Sequence, residues 1–98
     1  MKLEDAIRKL RDAEPALRAK GVSHAAIFGS TARGDRRLDS DLDILIDLDP
    51  AAHVTVYDYV AIRNDIASLF EQPVDVVDRE GLKPHLRQPV ARDLIYAF

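Results

Sequence analysis

The stretch Ile27-Phe28-Gly29-Ser30-Thr31-Ala32-Arg33-Gly34, followed after a short polar run by Ser40-Asp41-Leu42-Asp43-Ile44-Leu45-Ile46, decides how this chain folds. Ile27 and Phe28 close an apolar run, so Gly29 falls where a strand stops, and Ser30 stands where it would cap a short helix. Such a turn favours an anion, because glycine lets the backbone approach a phosphate while free N–H groups and the Ser30 hydroxyl supply donors. In the strand that follows, residues two apart share a face with Cα atoms about 6–7 Å apart, so Asp41 and Asp43 project together. Leu42, Ile44, Ile46 and Leu48 alternate with them and face the core. Two carboxylates held this close repel unless a cation draws both to itself, and a hard divalent ion such as Mg²⁺ beside phosphates does so. A phosphate turn followed by paired aspartates points to phosphoryl or nucleotidyl transfer from a metal-bound nucleoside triphosphate. The expected mechanism uses two ions about 3.5–4 Å apart.

The flanking sequence supplies the scaffold. Leu3, Ala6, Ile7, Leu10 and Leu17 recur at helical spacing, with Pro15 expected to kink the helix or start a new turn after Glu14. Gly21 punctuates before a first strand over Val22 to Phe28, and residues 35 to 40 read as a polar loop. The second strand, 41 to 48, ends at Asp49-Pro50. Thr55 and Asp58 form a capping-box-like start for a helix that turns Tyr59, Ile62, Ile66, Leu69 and Phe70 inward. After Gln72-Pro73, Val74 to Asp78 reads as a third strand. Pro84 and Pro89 argue against a continuous helix from residue 83, so a turn near 84–87 and a last helix with Pro89 near its first position are expected. Tyr96 and Phe98 then end the chain on that terminal helix, to dock onto the core or to serve a partner interface.

Composition bounds the function. The 98 residues suffice for one domain, residues 1–98, with a core of its own. A net charge of −3 argues against a broad basic footprint for nucleic acid. Basic residues cluster locally instead: Arg33, Arg36 and Arg37 lie beside the proposed triphosphate turn, placed to neutralise ligand charge or, for the latter two, to pair with Asp35 and Asp39 in a solvated loop. The absence of cysteine excludes disulfides and thiolate chemistry, and the three histidines have no shared metal spacing. No signal-like or membrane-length apolar segment is present, which fits a cytoplasmic protein.

At Phe28 to Gly34 and Ser40 to Ile46 the chain resembles the minimal nucleotidyltransferase (MNT) group of the DNA polymerase β-like superfamily. That group's pattern is Gly-Ser, a nearby Gly, Asp-x-Asp and a third acid on a later strand. The resemblance implies an α/β (α+β) fold with a small mixed three-stranded sheet flanked by helices in the order αβ(turn)βαβα. It makes Asp75 the third acid, in preference to Asp78 on the opposite face near the strand end. Asp41, Asp43 and Asp75 are then the catalytic and metal-holding residues, with Asp75 as base; Gly29, Ser30, Arg33 and Ser40 attend the nucleotide. Asp47, further along the same alternation, reads as the wet end of the strand. The resemblance further implies transfer of AMP from ATP to a tyrosine of a HEPN-domain ribonuclease toxin. The chain would then be the antitoxin of a type VII-like pair, in a hetero-oligomer, without direct contact to nucleic acid or membrane. Two other readings stand beside it: neutralisation of such a toxin by binding alone, and transfer to a small molecule of the aminoglycoside kind.

Overall fold

The computed structural model describes residues 3–29, 32 and 42–98. A first helix, α1 (Leu3–Asp12), and a short second, α2 (Glu14–Ala19), are separated at Ala13 because Pro15 sits in the first turn of α2, as its fixed φ and missing N–H favour. Strand β1 (Val22–Phe28) runs antiparallel to β2 (Leu42–Leu48), and helix α3 (Val56–Ser68) carries the chain over to β3 (Val74–Asp78), parallel to β2. A parallel pair needs such a crossover. Helix α4 (Pro84–Arg92) and a two-residue strand, β4 (Ile95–Tyr96), complete a sheet of order β3-β2-β1-β4.

The capping box expected at the start of α3 is present: the Thr55 hydroxyl accepts from the Asp58 N–H at 3.1 Å, and Asp58 accepts from the Thr55 N–H at 3.0 Å. That reciprocal bonding satisfies helix-end donors and holds the Asp58 carboxyl below its ordinary value.

Alternation along the strands gives the sheet two faces. One presents Ala25, Ile27, Leu42, Ile44, Ile46 and Val76 to Ala6, Leu10, Leu17, Ile62 and Ile66 from α1, α2 and α3, forming the core. The other carries Phe28, Asp43 and Asp75 in one row and Ala26, Leu45 and Val77 in the next, by the paired register.

The mixed α/β architecture agrees with the sequence reading, while three details are corrected. Among the described residues the sheet has four strands, since the terminal residues form β4 against β1, pairing Ile95 with Ile27 and Tyr96 with Ala26. Tyr96 is therefore in a strand and is half exposed, not on a helix; Phe98 follows it, packs partly on the core and carries Arg18 stacked over its ring. Finally, α4 starts at Pro84 and runs through Pro89. Pro84 occupies the first turn, where no N–H is required, and the helix absorbs the single internal bond that Pro89 cannot make.

Candidate active site

Asp43 occupies the crossing point of the sheet, paired with Phe28 of β1 on one side and with Asp75 of β3 on the other. Paired residues on neighbouring strands share a face and lie about 5 Å apart at Cα, so the register sets the two carboxylates side by side, on the face opposite α1, α2 and α3. Their flanking residues explain why they stay there: Leu42, Ile44 and Val76 are buried in the core, and slipping either strand by one residue would push a carboxylate into it. Asp43 is half-buried and Asp75 exposed.

Gly29 turns the chain immediately after Phe28 with φ +75°, and a Cβ added there would run into the Asp43 carboxylate. The glycine therefore does two things at once: it adopts a left-handed conformation and leaves room for an acid side chain against bare backbone. Ser30, Arg33, Ser40 and Asp41 lie outside the described residues. Between them, Ala32 is helical and packs against the core.

The neighbouring acids take other roles. Asp78 points to the opposite face and accepts from the Glu80 N–H at 3.2 Å, capping the 3₁₀ turn Arg79–Gly81. Asp47 is not simply a wet strand end, for it accepts from Arg79 Nε at 2.7 Å. Arg79 also donates through Nη2 to the Tyr96 hydroxyl at 2.5 Å, a bond that, with Asp47, raises the guanidinium's pKa further. This Asp47–Arg79–Tyr96 clasp ties β2 to the C-terminal strand. Sequence reasoning missed it; the signal was an unexplained acid on the same alternation as Asp43. Leu45 carried another unread signal. It is 1% exposed although it lies on the acid-bearing face, because α4 and Leu94 cover it.

Among the described residues no group of three or more side chains of metal-ligating type comes together. Asp43 and Asp75 supply two hard oxygen donors, and Asp41, the third member expected, lies outside the described residues. A pair of carboxylates on one rigid face, beside a turn built for close backbone approach, fits Mg²⁺, which binds through one or two carboxylates together with substrate phosphates.

A three-helix layer on one sheet face, with acids on the other beside a glycine turn, defines a nucleotide-handling enzyme of the transferase class. Residues 7–97 match the nucleotidyltransferase domain family, and the chain belongs to it; it is a nucleotidyltransferase. Among similar proteins, the protein adenylyltransferase MntA of Thermococcus cleftensis is 30% identical over 76 residues, spanning 78% of this chain and 75% of that protein. A candidate protein adenylyltransferase of Methanocaldococcus jannaschii is 34% identical over 77 residues, covering 76% of each. A solved structure described as a candidate minimal nucleotidyltransferase is 38% identical, with a TM-score of 0.75, over 97% of this chain and 95% of that one. The same fold occurs in a toxin–antitoxin crystal structure with AMP-PNP, at 23% identity and a TM-score of 0.68, over 100% of this chain and 73% of that one.

Proposed function

We propose that this chain is a protein adenylyltransferase that moves AMP from ATP to a tyrosine of a HEPN-type toxin in the cytoplasm, silencing it as its antitoxin. The observation that carries the reading is the in-register pairing of Asp43 with Asp75 beside the Gly29 turn. The named relatives support it: a protein adenylyltransferase by sequence and a toxin–antitoxin assembly by fold.

The chemistry follows from the residues. Gly29 and Ser30 hold the triphosphate, and Arg33 and Ser40 attend it. Asp41, Asp43 and Asp75 would hold Mg²⁺, in two ions, which when bound offsets charge on the phosphates. The acceptor tyrosine oxygen forms a bond to the α-phosphorus as the bond from that phosphorus to the β-bridging oxygen breaks, releasing pyrophosphate. Asp75, the exposed member of the pair, takes the hydroxyl proton. The backbone at Gly29 and the strand register hold Asp43 in place throughout.

The competing reading is neutralisation by contact alone. Co-expression with the partner toxin separates the two: Asp43→Asn should abolish rescue of growth while the complex still forms. Full rescue by Asp43→Asn would replace the catalytic reading with the steric one.

A further inference from the structure

Val56, Tyr57 and Val60 stand together at the start of α3, 77%, 88% and 46% exposed. The core does not use them, since α3 packs through Ile62 and Ile66. Apolar side chains on the outward side of a helix serve no folding purpose there. The three tyrosines of the chain also differ in what their hydroxyls do. That of Tyr59 donates to the Val76 carbonyl at 3.2 Å, and that of Tyr96 accepts from Arg79 Nη2 at 2.5 Å. Tyr57 projects into solvent at the second position of α3, and among the described residues no hydrogen bond engages its hydroxyl.

Resting on the AMP-transfer reading above, we propose that Tyr57 is itself an acceptor, so that one copy of this chain adenylylates another. The Tyr57 oxygen of one copy forms a bond to the α-phosphorus of ATP held by the second copy. The bond from that phosphorus to the β-bridging oxygen breaks, pyrophosphate leaves, and the hydroxyl proton passes to the Asp75 carboxylate of the acting copy. The fold requires two molecules. Thr55 and Val56 line a cavity with Leu48 and Asp78, at the end of β2 and β3 remote from Asp43 and Asp75. From Asp43 to Leu48 the strand advances about 16–17 Å, and the sheet itself stands between α3 and the acids. The product suits its place, because a phosphodiester adds a negative charge in the first turn of α3, where the helix dipole favours an anion. Val56 and Val60 offer apolar surface beside it to the attached purine.

The test incubates this chain, without its partner, with ATP and Mg²⁺ and reads its intact mass, then maps the modified peptide. Wild type should gain one AMP unit on the peptide that holds Tyr57. Tyr57→Phe should gain none, yet should modify the copurifying partner no more slowly than wild type does, which also shows that the variant is folded. Asp43→Asn should not modify itself but should gain AMP at Tyr57 when active wild type is added. Asp43→Asn left unmodified by a wild type that modifies itself would overturn the transfer between copies. Modification of the partner with Tyr57 left bare would overturn the acceptor site while leaving AMP transfer standing. No mass gain on either protein would overturn both.

Discussion

Gly29 and Asp43 are best understood as one unit. The glycine's φ of +75° and the clash awaiting any Cβ with the Asp43 carboxylate mean that Gly29→Ala must both strain the turn and push the acid aside. Because displacement of a reacting group by about 1 Å can cost on the order of 100-fold, Gly29→Ala should lower the rate of AMP transfer by about that factor, read as pyrophosphate release. Asp75→Asn should cost about 10²–10⁴-fold, the range for loss of a general base, with little change in thermal stability because the side chain is exposed. At this scale the sequence was informative: the position of Gly29 after an apolar run was readable, and the resemblance singled out Asp75 over Asp78. What it could not supply was the contact between Gly29 and Asp43, since the turn residue and the strand residue are brought together only by the β1–β2 register.

Elements with strong local signals were read correctly, and those set by tertiary contact were not. The α3 cap was visible as Thr55 and Asp58 at capping-box spacing, and it yields a pH prediction. Hydrogen bonds from Thr55 lower the Asp58 pKa in the folded state from its ordinary 3.8. The stabilisation is therefore fully present above that value and lost as pH falls through the lower folded value. Asp58→Ala should reduce Tm at pH 7, and the gap from wild type should close as the pH is taken below 3.8. Thr55→Ala, which removes the capping hydroxyl, should lower Tm by roughly 4–8 °C in a thermal melt at pH 7. By contrast, β4 is two residues long, too short for alternation to declare it, and exists because β1 offers a free edge. Helix α4 defeated a rule of local propensity: one internal proline lost to the rest of the helix.

For the molecule as a whole, the division of labour between the sheet faces organises the function. Helices α1 to α3 bury one face and make the strands rigid, leaving Asp43 and Asp75 on the other. The alternation along residues 41–48 made this legible in the sequence, whereas the covering of Leu45 by α4 emerged only from the packing. Among the described residues no helix is long and apolar enough to cross a membrane. The central claim is transfer of AMP to a bound protein, and the intact mass of the copurified partner after incubation with ATP and Mg²⁺ tests it most directly. The account predicts a mass increase of one or more AMP units with wild type and none with Asp43→Asn. A partner that stays unmodified yet is bound and inhibited equally by both forms would contradict it.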